Sequence, residues 1–305
     1  MGIFDSFYNN PQDALPNSDK SASLQMLFSE PLSDDIAHLQ NVVRAFDSTL
    51  RAATVTGIGT GNGVDAPRSF LGQVEWGPHR VELVAFGVPM PAEVVERCVT
   101  PAAYSPEDKE RARGQRAHAL LYYKGSAVNM NEQFVAVALV AGALCREGAL
   151  AILNEGAHTA VPAILFTSQF TFGTNISPSQ FLRSMPPLYL FAGFVKYEVE
   201  GFDGLWIRTH GLEEFGLPNL ATHARGHEQS EEVFDIFCNV ASYMMAQGPV
   251  LEAGHTMQIG DEQFMALREL TPEEAILDDG GPLLVANFIR ADEANPHIFG
   301  SERAH

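Results

Sequence analysis

Apolar positions along this chain keep switching between two rhythms, and each switch marks an element. Short apolar runs closed by turn residues predict strands: Leu24–Phe28 before Pro31, Phe70–Trp76 and Arg80–Phe86 around Gly77-Pro78, Ala119–Tyr123, and Leu150–Leu153. Apolar residues at three- and four-residue steps predict helices. One carries Ile36, Leu39, Val42, Val43 and Phe46, with Ser33 as its cap and Asp34 and Asp35 near its positive end. A short helix is expected over Ala92–Cys98. Ser105-Pro106-Glu107-Asp108 has the cap, proline and acids of another helix start. From about Asn131 to Arg146 the chain is apolar on nearly every side, which predicts a buried helix, ended by Gly148.

The second half mixes the same rhythms. Ser177-Pro178 opens a helix through Met185, and Ser230 opens a longer one stopped by Gly248-Pro249. Leu188–Tyr197, Leu205–Thr209, Gln263–Arg268 and Leu284–Ile289 predict strands. Glu132, Phe134, Val140, Ala141 and Gly148 recur 100 residues later as Glu232, Phe234, Val240, Ala241 and Gly248, and His158-Thr159 has a counterpart in His255-Thr256. Shared helical spacing accounts for five such identities without common ancestry; a true duplication would make two ferredoxin-like halves. The expected class is α+β, with mixed or antiparallel sheets and helices packed on one face. The expected divisions are a loose arm over 1–23, an N-terminal half over 24–165, a C-terminal half over 166–290 and a polar tail over 291–305.

Composition narrows the function classes. The chain has 305 residues, 46% hydrophobic and 19% charged, a globular balance. Its net charge of -19 opposes nucleic-acid phosphates, and the run Lys109-Glu110-Arg111-Ala112-Arg113 is diluted by acid. The acidity is either ordinary solvation or a face for a basic protein partner. Three scattered cysteines, Cys98, Cys145 and Cys238, give no disulfide framework or zinc knuckle and fit a reducing cytoplasm. Met1–Ser23 lacks the basic start and apolar core of a signal peptide, and the longest apolar run, Phe134–Cys145, is too short to cross a bilayer.

Candidate chemistry is sparse. Gly57-Ile58-Gly59-Thr60-Gly61-Asn62-Gly63 lacks the following helix and lysine of a phosphate loop, so a flexible hairpin or loop is expected. Phe166, Phe170, Phe172 and Phe181 suggest an insertion packed on the core. The best polar cluster is Thr209, His210, Glu213 and Glu214, after the strand at Leu205. A helical turn there would set His210 and a carboxylate on one face, as an acid/base pair or half of a metal site. Further ligands would have to come from His255, His158, His223, His227 or Glu155. The plainer account makes Thr209 and His210 partners of backbone groups, with Gly211 and Gly216 supplying the turn and Phe215 its anchor. His118, after Arg113, Gln115 and Arg116, either faces the same region or is an ordinary strand-end histidine. No metal or other cofactor is called for.

Thr209-His210-Gly211-Leu212-Glu213-Glu214-Phe215-Gly216-Leu217-Pro218-Asn219-Leu220, the helix ending in Ala241-Ser242-Tyr243, and Gly254-His255-Thr256 resemble the bacterial domain-of-unknown-function 4261 family. The Ala117-His118-Ala119 strand and the Leu24–Phe28 opening are similar to it too. Asn219 departs from the pattern, which would place a glutamate there. The resemblance implies a bacterial cytosolic α+β protein and supplies no catalytic residue. Two functions remain: a non-enzymatic binding or adaptor module, of inhibitor or immunity type, with His210, Glu213, Glu214, Thr209, His118 and His255 as the surface to examine; or a small metal-dependent hydrolase centred on His210 and Glu213. A purely structural subunit is a third reading, and the oligomeric state is left open.

Overall fold

A computed structural model describes residues 21–63, 66–168, 176–201, 203–247 and 251–290. The expected arm, except for its last three residues, and the tail from 291 lie outside the described residues, as do Phe170, Phe172 and Gly248-Pro249.

The first sheet has seven strands, every neighbouring pair antiparallel, in the order β2-β3-β4-β5-β1-β6-β7. They are β1 (Ser23–Phe28), β2 (Thr54–Gly63), β3 (Ala66–Trp76), β4 (His79–Phe86), β5 (Ala117–Tyr123), β6 (Ala149–Asn154) and β7 (Thr159–Pro162). Alternation along β1 decides what each face receives. Leu24, Met26 and Phe28 join the core under α1 (Ile36–Phe46) and α4 (Met130–Leu144). Leu27, with Ala151 and Leu153 of β6, meets α2 (Ala92–Val99) and α3 (Pro106–Arg113) on the other face. Helices therefore cover both faces of this sheet, not one, because β1 and β6 are apolar on both sides. Twelve of the fifteen residues of α4 are buried, as its all-round apolar pattern predicts.

The second sheet has the order β11-β12-β13-β10-β9-β8, with β10 and β13 as its parallel pair. Its strands are β8 (Gly193–Tyr197), β9 (Leu205–His210), β10 (Asn219–Ala224), β11 (Thr256–Gln258), β12 (Gln263–Arg268) and β13 (Leu283–Arg290). Leu205, Ile207, Leu220, Met265 and Leu284 pack with Val233, Phe237 and Met244 of α7 (Ser230–Gln247). Trp206, Ala221 and Val285 face the other way, under Leu277. Before this sheet come α5 (Ile164–Ser168) and α6 (Pro178–Ser184), whose Phe166 and Leu182 belong to the first core.

The α+β class is the observed one, while two ferredoxin-like halves are not confirmed. The sheets differ in strand number and order, and α4 and α7, the helices of the suspected repeat, sit in different surroundings. Three local expectations change. Asp35, not Ser33, caps α1 by accepting from the His38 N–H, and Ser33 in turn accepts from the Asp35 N–H. The glycine run Gly57–Gly63 is strand, part of β2 paired to β3, because extended backbone needs no side chain to pair. Leu188–Tyr197 divides into a 3-10 turn at Pro187–Tyr189 and β8.

The two sheets meet where the turn after β6 lands on β8. Asn154 ends β6; its Nδ2 donates to the carbonyls of Leu190 (3.1 Å) and Phe191 (3.2 Å), and its Oδ1 accepts from the Ala157 N–H at 3.3 Å. Ala157 lies so close to β8 that a Cβ on Gly193 would collide with its carbonyl oxygen. Phe134 of α4 stacks on Phe191 and on Phe215 (centroids 5.3 Å apart in each case), joining the two cores. Gly193→Ala should therefore cost about 2 kcal/mol or more, in the range of overpacked cores. Gly59→Ala, whose new methyl meets nothing within 4 Å, should be within about 0.5 kcal/mol of the parent. Urea unfolding of both variants checks this.

Candidate polar junction at the sheet contact

Strand alternation puts Trp206, Arg208 and His210 on one face of β9, and the last two bring charge chemistry into a buried place. Each is 3% exposed. Arg208 donates through Nη1 to the Leu277 carbonyl, and its Nη2 lies 2.5 Å from Asp279 Oδ1. Its Nε and the Trp206 indole N–H are buried and have no hydrogen-bond partner among the described residues. Asp279 reaches in from the turn before β13 with 42% of its side chain exposed. His210 Nδ1 is 3.4 Å from Asp279 Oδ2, and Nε2 is 2.7 Å from the Tyr197 hydroxyl. An ionised carboxylate only accepts, so Nδ1 carries the ring proton and Nε2 accepts from the Tyr197 O–H.

The fifth member comes from the first sheet. His158 closes the turn after Asn154 and lays its ring on His210, centroids 4.3 Å apart. Its φ of +51° is left-handed, an uncommon conformation outside glycine that persists only where surroundings enforce it. Gly193 and Gly211 provide that enforcement by allowing close approach. Gly211 has φ +88°, and a Cβ there would stand 2.9 Å from Ala157 Cβ.

Burial sets the protonation states. It pushes His210 down from 6.5 to about 3, with His158 and Arg208 adding to the effect and Asp279 opposing it. Burial also lowers His158, helped by Arg97 and Arg208 and opposed by Asp279 and Glu213. For Asp279, burial alone would raise the carboxyl, but the hydrogen bond and charge of Arg208 carry it below its usual value. Tyr197 is raised, chiefly by burial. At neutral pH the cluster is one ion pair beside two neutral imidazoles and a phenol. Its hydroxyl–imidazole–carboxylate chain can pass a proton between Tyr197 and the half-exposed Asp279.

Of the residues expected from sequence, His210 and His158, the latter considered only as a further ligand, are members of this contact set. Thr209 points to the opposite face, where its hydroxyl donates to Asn219 Oδ1 (3.3 Å) and accepts from the Leu220 N–H (2.8 Å). Glu213 accepts from Asn219 Nδ2 at 2.6 Å; Glu214 is half-buried in the same 3-10 turn, Leu212–Phe215. A glutamate at 219 would set a second carboxylate against Glu213, whereas the amide bridges it to Thr209 and Leu212. His118 and His255 do not converge with His210. The first is buried in β5, bonded to the Val88 carbonyl at 2.8 Å and stacked on Phe86. The second lies in an exposed turn, its Nδ1 accepting from the Glu252 N–H. His223 is in β10 and His227 in the next 3-10 turn, so no helix face joins them. Among the described residues, no three His, Cys, Asp or Glu side chains group as metal ligands.

The span from β9 through α7 to β13 also carries the family signal. Residues 208–285 match the family model of a domain of unknown function, DUF4261. The resemblance seen at Thr209–Leu220 is thus borne out over that span. The DUF4261 stretch holds Arg208, His210 and Asp279, while Tyr197 and His158 come from outside it. No curated protein and no solved structure matches the chain.

Arg208 and Asp279 should behave as a buried pair. Asp279→Ala leaves the guanidinium without its counter-charge and should cost about 2–3 kcal/mol, toward the low end for a broken buried pair because Asp279 is partly solvated. Glu30→Ala breaks an exposed pair with Arg116, each side chain 68% exposed, and should cost less than about 1 kcal/mol. Equilibrium unfolding at neutral pH compares them.

Proposed function

We propose that the chain is a non-enzymatic binding module, of the adaptor or inhibitor kind, whose second sheet presents an acidic surface to a basic protein partner in the cytoplasm. The segregation of charge carries this reading. Residues 191–290 hold 17 acidic and 5 basic side chains, so -12 of the total -19 sits in about a third of the chain. Fourteen of those acidic residues are exposed. Among the basic ones, Arg208 is buried against Asp279 and Arg268 is paired with Glu274 at 2.6 Å. The surface field of this sheet is therefore strongly negative, which speeds encounter with a positive partner and weakens with salt.

Glu228, Glu231, Glu232 and Asp235 stand exposed at the start of α7. Changing all four to lysine should abolish capture of basic proteins from the native host's extract, and added salt should weaken wild-type capture. An unchanged set of captured proteins would defeat the reading.

The alternative is a hydrolase at His210. The expected partner Glu213 is engaged by Asn219, so this reading rests on the Tyr197–His210–Asp279 chain. Hydrolysis of an ester or phosphoester panel that His210→Ala loses would favour it; equal, background-level rates for both proteins would remove it.

A further inference from the structure

We propose that the turn Asn154–His158 is an acid-released latch, held on the second sheet at neutral pH and let go when the contacting rings of His158 and His210 take up protons. This stands apart from the partner reading. The geometry supplies a joint with one titrating part. Asn154 holds the turn through two backbone carbonyls, and Gly193 and Gly211 hold it by shape, none of which changes with pH. The ring-on-ring contact at 4.3 Å does change, since two imidazolium ions at that distance repel.

Charges around the ring pair favour release on protonation. His210 faces Tyr197 from β8, Arg208 along β9, Asp279 from the turn before β13, and His158 from the first sheet. His158 also feels Arg97 of α2 and Glu213 of the turn after β9. Asp279, the carboxylate beside His210, is already paired with Arg208, and Arg97 lies 3.5 Å from Glu155. Added protons would thus enter a site whose near carboxylate is spent. Both rings titrate below a free imidazole's 6.5, so the sign is fixed: the closed form is fully favoured above that pH and loses ground as pH falls. Each unit of descent favours the released form by about tenfold per histidine kept neutral. The left-handed strain at His158 adds to the tendency to let go.

Hydrogen exchange, corrected for chemical exchange rates, tests this at neutral pH and near pH 5. Amides of 154–163 and 190–197 should lose at least about tenfold in protection at the lower pH, while β1 and β5 keep theirs. His158→Asn suits the left-handed backbone and cannot titrate; it should remove the ring-on-ring repulsion and one histidine's share of the pH effect, about tenfold per pH unit. His210→Gln, which still offers an acceptor to Tyr197, should do the same independently. Unchanged wild-type protection, a loss in both variants as large as the wild type's, or an equal loss in β1 and β5 would overturn the latch.

Discussion

The contact between the two sheets depends on how closely backbone can approach backbone at Gly193. A β6 turn and a β8 strand cannot share that space if either carries a side chain there, so the glycine, not an attractive group, sets the spacing. Once the spacing is fixed, Asn154 becomes a bridge, satisfying the Leu190 and Phe191 carbonyls that would otherwise be stranded in a dry joint. Phe134 then reaches both Phe191 and Phe215, and the two cores become continuous through one aromatic stack. His158 is placed by these constraints, and its unusual φ is their consequence.

Beside this joint the molecule buries an arginine at modest cost by keeping everything else near it neutral or singly negative. Arg208 and Asp279 cancel, and burial keeps both imidazoles uncharged. Asp279 comes from a turn with Gly280 at φ +86° and remains partly in water, so the pair is only half desolvated. Arg268 is paired with Glu274 in the same way, so two of the five cations in residues 191–290 do not offset the fourteen exposed carboxylates there, while Lys196, Arg225 and Arg290 stand exposed.

Local pattern in the sequence reached most of the elements because each was written in a single run of residues. The all-apolar stretch of α4, the Ser105 and Ser177 caps, and the Gly77-Pro78 hairpin all have their physical cause within a few positions. The strand β2 was hidden because glycine carries no alternation to read, and β10 because Asn219–Ala224 is polar at its start. The site was legible at His210 and, only as one of several possible further ligands, at His158. Tyr197, Arg208 and Asp279 are brought together by strand pairing and a distant turn, which no spacing rule encodes, and His158 arrives from the other sheet. The one signal present was Arg208 itself: a cation at the centre of the buried-looking run Leu205–His210 requires a counter-charge from elsewhere.

The claim on which the rest turns is that His158 and His210 form one buried, neutral unit across the sheet contact. Histidine-selective NMR of the intact chain reads it directly from the ring resonances as pH is lowered. The account requires His210 to be neutral with its proton on Nδ1 throughout the neutral range and to titrate well below 6.5, with His158 also titrating below 6.5. A His210 ring that protonates independently near 6.5, or that carries its neutral-state proton on Nε2, would contradict it.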